Sequence, residues 1–180
     1  FLDLSASMDC PVASGKYEAA RDVALALAYV VLANEDAVKL HALSSQSGAQ
    51  ATPFLRGRPR MFDLAAFLQA RRPAGKVETP AALAQHLQVV RRPGKAIWIS
   101  DFLFPTSVYQ TGLNLLRAAN FDIAIIQVLS ADEVDPATQS GGVRMVDSES
   151  EESVLVRFDD AAKKEYLRRL DGHNRALRSF

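Results

Sequence analysis

Apolar and polar positions alternate along this chain with two periods, one near 3.6 and one near 2. Residues 1–4 (Phe-Leu-Asp-Leu) read as the end of a buried strand. Over residues 14–33, Tyr17, Ala20, Ala24, Leu27, Ala28 and Val31 recur at i, i+3 and i+4. That spacing predicts a helix, with Ser14 as its N-cap and Gly15 and Lys16 in the first turn. Asn34, Glu35 and Asp36 end it, and the alternation of residues 37–43 (AVKLHAL) predicts a strand. A polar turn at 44–51, a short returning strand at 52–55, a loop at 56–60 and an amphipathic helix at 61–70 follow. Pro, Gly and Arg mark 71–77 as a connection. Pro80, with Thr79 as N-cap, predicts a helix over 80–90, which Arg91-Arg92-Pro93-Gly94 ends.

Residues 95–100 (KAIWIS) and 121–129 (FDIAIIQVL) are near-continuous apolar runs, as expected of strands covered on both faces. A helix at 108–118 separates them. Two short strands at 143–147 and 154–158 flank an acidic turn. A helix at 160–177, with Tyr166, Leu167, Leu170 and Leu177 on one side, closes the chain. Strands alternating with helices predict an α/β fold: a three-layer α/β/α sandwich around a mostly parallel sheet.

The length of 180 residues suits one domain, 1–180. Because Phe1 opens directly in a strand, the chain is read as part of a longer protein whose first strand is truncated. With Cys10 the one cysteine, no internal disulfide can form, and a reducing, cytoplasmic compartment is the natural expectation. The longest apolar run, residues 23–33, is too short to cross about 30 Å of hydrocarbon. Formal net charge is zero, yet residues 56–95 carry nine basic against two acidic side chains, and 132–160 carry nine acidic against two basic. The bland reading is solvated helix ends and loops. The functional readings are nucleic-acid contact, or a charged face for a protein partner involving Arg56, Arg58 and Arg60.

In open α/β sheets, ligands sit beyond the carboxyl ends of the strands. Here those ends carry Asp3-Leu4-Ser5-Ala6-Ser7 and Ser100-Asp101, and Glu78-Thr79-Pro80 lies in a third loop. Every candidate donor is an oxygen, which favours Mg²⁺ (or Mn²⁺ or Ca²⁺), and the lack of paired His and Cys argues against zinc. Enzyme motifs are missing: no Gly-x-Ser-x-Gly, no phosphate-binding glycine loop, and Ser5 where an aspartyl-phosphate enzyme would carry a second Asp. His41, His86 and His173 fall in separate elements and read as surface or internally satisfied residues. Cys10 reads as structural, Asp9 as a solvated loop residue and Trp98 as core. Taken singly, Asp3 and Ser5 are explained by loop capping and Thr79 by helix capping.

Together these residues resemble the metal-ion-dependent adhesion site of von Willebrand factor A domains. That family's pattern is Asp-x-Ser-x-Ser after the first strand, a later Thr, and an Asp ending the fourth strand. Asp3, Ser5, Ser7, Thr79 and Asp101 match it in order. The Thr loop departs from it, with Val77-Glu78 where many members have a Gly. The run 95–103 (KAIWISDFL), the segment 130–133 (SADE), the turn 146–149 (VDSE) and the ending 166–173 resemble the bacterial MoxR-associated branch. The resemblance implies a non-enzymatic adaptor that holds Mg²⁺ on hydroxyls and two carboxylates. A partner carboxylate would complete the shell, from a MoxR-type AAA+ ATPase or its client. The alternative is a nucleic-acid-binding or purely structural α/β domain with a degenerate metal site.

Overall fold

The computed structural model describes residues 1–11, 14–44, 50–77, 79–88, 94–137, 142–146 and 153–179, of which Thr79, 142–146 and 153–157 as backbone. In chain order the elements are β1 (Leu2–Asp3), α1 (Lys16–Ala33), β2 (Ala37–Val38), β3 (His41–Leu43), β4 (Gln50–Ala51), β5 (Leu55–Arg56), α2 (Met61–Gln69), α3 (Thr79–Gln88), β6 (Lys95–Ser100), α4 (Thr106–Ala118), β7 (Asp122–Gln127), α5 (Ala131–Val134), β8 (Gly142–Val146), β9 (Ser153–Arg157) and α6 (Asp160–Arg178). Single 3₁₀ turns cover Ala6–Asp9 and Arg58–Arg60.

The central sheet has the order β4-β3-β1-β6-β7. β1 pairs in parallel with β3 on one side and β6 on the other, β6 pairs in parallel with β7, and only β4 is antiparallel. Successive side chains on β6 point to opposite faces, as a pleated strand requires. Ile99 therefore joins a core built with α1 and α2 around Leu2, Tyr17, Leu32, Leu64 and Leu68. Trp98 joins a second core with Leu83 of α3, Tyr109, Leu113 and Leu116 of α4, and Leu177 of α6. Two apolar cores on the two faces of one sheet make the three-layer α/β/α sandwich expected from the alternating strands and helices. On the second face α4 comes close to β6: a Cβ added at Gly112 would lie 2.8 Å from the Trp98 ring and 2.8 Å from Leu83.

Some boundaries differ from expectation for identifiable reasons. The segment 37–43 is two strands, not one. β2 pairs antiparallel with β5, whereas β3 joins the central sheet. At the join, Leu40 N–H donates to Thr52 Oγ1 at 3.0 Å, and Thr52 N–H donates back to the Leu40 carbonyl. A side-chain oxygen thus replaces a ladder partner, and the chain changes sheets there. The returning strand at 52–55 is displaced on both sides, to β4 and β5. Helix α1 starts one residue later than a Ser14 cap would give, because Gly15 takes the cap position with φ 71°, while Ser14 Oγ accepts from Lys16 N–H at 3.3 Å. Helix α5 was not expected. It is a single turn, closed at its start by a capping box between Ser130 and Glu133. The end of the predicted helix 80–90, the acidic turn between β8 and β9, and Glu78 lie outside the described residues.

Candidate functional site

Strand order reverses about β1, since α1 carries the chain to β3 on one side and β6 enters on the other. The ends of β1 and β6 are therefore where an α/β sheet opens a crevice for ligands. Asp3 ends β1 and is 1% exposed; Asp101 follows β6 and is fully buried. Ser5 N–H donates to Asp3 Oδ1 at 2.8 Å, an Asx-type turn that starts the Ala6–Asp9 helical turn. This turn brings the Ser5 and Ser7 hydroxyls within 2.9 Å of one another. Two further bonds fasten the loop: Ala6 N–H donates to the Gly75 carbonyl and Ala74 N–H to that of Leu4.

On the β6 side, Ser100 Oγ donates to Asp3 Oδ2 at 2.7 Å and accepts from Phe102 N–H at 3.0 Å. Phe102 is left-handed, with φ 55°, a strained conformation for a bulky side chain. Its ring is buried in the second core, and its carbonyl accepts from His173 Nε2 at 2.6 Å. Because a carbonyl only accepts, His173 carries its proton on Nε2. This bend lets Leu103 N–H donate to Asp101 Oδ1 at 3.1 Å, fixing one oxygen of that carboxylate. Burial pushes the Asp3 carboxyl up to about 6; the Asp101 charge adds to the rise, while the bonds from Ser100 and Ser5 oppose it.

The structure brings Asp3, Ser5, Ser7 and Asp101 together at neighbouring strand ends. The Thr79 backbone opens α3, but its side chain lies outside the described residues. Asp9 is exposed at the end of the helical turn. Arg56, Arg58 and Arg60 are not brought to this end. β5 pairs with β2, which follows the far end of α1, so they lie about one 18-residue helix, roughly 25 Å, from the site. Of the basic segment, Arg71 and Arg72 are near: with Leu4 and Gln50 they line a cleft beside the end of β1. Arg71 Nε donates to Gln50 Oε1 at 2.9 Å, and its guanidinium stacks on Phe67.

Sequence reasoning missed Lys16, Ser100 and Glu133. The Lys16 ammonium is 3.1 Å from Asp101 Oδ2 and 2.7 Å from Glu133 Oε1, with its side chain fully buried. A lysine in the first turn of a helix opposes the macrodipole, and that is the signal by which a carboxylate partner could have been sought. His41 and His86, expected to be unrelated, meet with Nδ1 atoms 2.8 Å apart, both buried.

The donors at the strand ends are two hydroxyls and two carboxylates, a chemistry suited to a hard divalent cation. Among the described residues, no group of three or more His, Cys, Asp or Glu side chains could hold a metal. Any ion here would therefore lean on the Ser5 and Ser7 hydroxyls rather than on charge.

No helix among the described residues is long and apolar enough to cross a membrane. The fold is similar to the crystal structure of an aerotolerance-related membrane protein from Bacteroides fragilis NCTC 9343 with multiple mutations to serines. The TM-score is 0.50 at 15% identity, over 93% of this chain and 84% of that one. At that identity the likeness concerns the fold. No curated protein matches the chain. Residues 1–176 match the family described as protein of unknown function DUF58, and the chain belongs to that family.

Proposed function

We propose that this domain is a divalent-metal-dependent protein-binding adaptor. Mg²⁺, or Mn²⁺ or Ca²⁺ in its place, would be held by Asp3, Ser5, Ser7, Thr79 and Asp101. The observation that carries the reading is the Ser5–Ser7 hydroxyl pair, 2.9 Å apart and next to buried Asp3 at the switch point of the sheet. A bound ion would supply a Lewis-acidic point on which a carboxylate from another protein closes the shell. This chain's residues would orient that point: Ser100 and Ser5 N–H hold Asp3, and Leu103 N–H holds Asp101. An open coordination position on the ion would accept an anionic oxygen, and Arg71 and Arg72 at the adjacent cleft favour an acidic partner surface. The resemblance of residues 95–103 and 130–133 to MoxR-associated proteins supports a MoxR-type AAA+ ATPase, or its client, as that partner. In this reading the domain binds and does not catalyse.

The ammonium at Asp101 favours a second reading, a purely structural domain whose polar cluster is neutralised from within. Calorimetry with Mg²⁺ and Mn²⁺ separates the two, the adaptor requiring affinity in the millimolar to micromolar range. A pull-down with a MoxR-type ATPase, with and without a chelator, tests the partner. Recovery should be lost with the chelator and in Ser5→Ala with Ser7→Ala. Equal recovery in all conditions would end the metal-dependent reading.

A further inference from the structure

We propose that the Lys16 ammonium is a tethered competitor of the divalent cation and sets how tightly the site binds it. The inference rests on the metal-site reading of Asp3, Ser5, Ser7, Thr79 and Asp101. Three observations support it. First, the two oxygens of Asp101 are differently engaged: Oδ1 accepts from Leu103 N–H, and Oδ2, the one left for a cation, is met by Lys16 Nζ at 3.1 Å. An ammonium and a metal ion that both need Oδ2 repel one another at such range, so each excludes the other.

Second, Lys16 has a second anchor. Glu133 Oε1 lies 2.7 Å from Nζ, and Glu133 is itself fixed: Ser130 N–H donates to its Oε2 at 2.7 Å, and Tyr166 from α6 donates to its carbonyl at 2.8 Å. A buried ammonium stripped of every carboxylate would be strongly unfavourable. With Glu133 held in place, Lys16 can release Asp101 and remain paired, which makes exchange with a metal ion feasible. Third, Lys16 is held away from solvent, because its side chain is fully buried and its ammonium lies between Asp101 and Glu133. The competing charge is therefore always present at the site.

Glu133 thus acts through Lys16, and this separates competition from a general field effect. Titration of the chain with Mn²⁺, following the paramagnetic resonance signal of the free ion, gives the dissociation constants. Lys16→Met should tighten Mn²⁺ binding by about tenfold or more. Glu133→Gln keeps a capping side chain at the start of α5 but removes the ammonium's refuge, so it should weaken binding several-fold. In the Lys16→Met background, Glu133→Gln should have no effect. A Glu133→Gln weakening that persists there would overturn the proposal in favour of a simple charge effect. Equal constants in wild type and all variants would overturn it too, while leaving the metal site standing. No binding by any of the four proteins would remove the metal site itself. Should Lys16→Met fail to fold, the Lys16 side-chain ammonium resonance in the wild-type chain decides: it should shift in step with Mg²⁺ binding, and an unmoved resonance overturns the competition.

Discussion

Ser100 Oγ donates to Asp3 Oδ2 at 2.7 Å, a side-chain bond that joins the ends of two adjacent parallel strands. Both residues are buried, Ser100 fully. The same hydroxyl accepts from Phe102 N–H, so one atom holds the Asp3 carboxylate and the bend that aims Asp101. Ser100→Ala leaves a buried carboxylate oxygen and a backbone N–H without that partner. Such groups cost about 1–3 kcal/mol each. Urea unfolding should show a loss of about 2–6 kcal/mol for the two together. The Asp3 carboxyl should also rise further above its ordinary value, because the lost bond lowers it. Unchanged stability together with an unchanged Asp3 titration by NMR would mean that the bond is not formed in solution.

Ser5 and Ser7 are a contrasting case. Their hydroxyls bond to one another at 2.9 Å, so removing both strands neither, and Asp3, which loses the Ser5 hydroxyl, keeps its bonds from Ser100 Oγ and Ser5 N–H. Ser5→Ala with Ser7→Ala should therefore change stability by less than about 1 kcal/mol and abolish divalent-ion binding. Thermal unfolding and Mg²⁺ calorimetry on the same sample check both halves. A double variant that unfolds would show that the motif serves the loop's structure rather than an ion.

The core of the second face gives a steric prediction. α4 packs against β6 at Gly112, where an added Cβ would sit 2.8 Å from the Trp98 ring and 2.8 Å from Leu83. Trp98 is fully buried and packs against Phe102 at 4.9 Å between ring centroids, so the indole cannot swing away freely. Gly112→Ala should destabilise by about 1–3 kcal/mol through overpacking, although alanine is the better helix former. Trp98→Ala should cost more, about 3–5 kcal/mol, by leaving a cavity. Denaturant unfolding checks the order. A stabilising Gly112→Ala would mean that α4 can move off the Trp98 ring in solution at no cost.

How much of this was readable in advance depends on whether the cause was local. β6 was legible to the residue because a strand covered on both faces carries a continuous apolar run. α6 was legible because its period spans five turns. The division of 37–43 was not, since it turns on Thr52 supplying a side-chain oxygen from another segment. α5 escaped because one helical turn has no periodicity, although Ser130-x-x-Glu133 is the spacing of a capping box. At the site, the Asp-x-Ser-x-Ser spacing and the Ser-Asp strand end pointed to Asp3, Ser5, Ser7 and Asp101 as strand-end residues, and the fold sets those two ends on adjacent strands. Lys16 and Glu133 reach that place from elements far apart in sequence, and only the folded chain joins them. The basic segment shows the reverse error. Arg56 and Arg71 are close in sequence, but α2 separates them along its axis, so only the latter end lies by the site.

The His41–His86 pair carries a prediction about pH. Each imidazole is held below its ordinary value, first by burial and then by nearby positive charge; for His86 a bond to the Ala42 backbone partly opposes this. The folded state therefore favours the neutral rings, while the unfolded chain takes up protons near the ordinary 6.5. Their stabilisation is full above pH 6.5 and falls as the pH drops below it, by about 1.4 kcal/mol per pH unit for His41, which is held at about 2, with His86 acting in the same direction. Asp3 works in the opposite sense. Its folded value of about 6 lies above the ordinary 3.8, so the native state binds more protons between those limits, and stability from this source rises as the pH falls from 6 toward 4. The two trends overlap, and a single acid titration of the wild type would blur them. Comparison with His41→Phe, His86→Leu removes the imidazoles and leaves Asp3 in place. Urea unfolding at pH 7.5 and pH 5 should show the wild type losing stability relative to the variant, by about 2 kcal/mol from His41 and further from His86. Parallel curves for the two proteins would mean that the imidazoles protonate freely in the folded state, and that the 2.8 Å contact between them does not persist in solution.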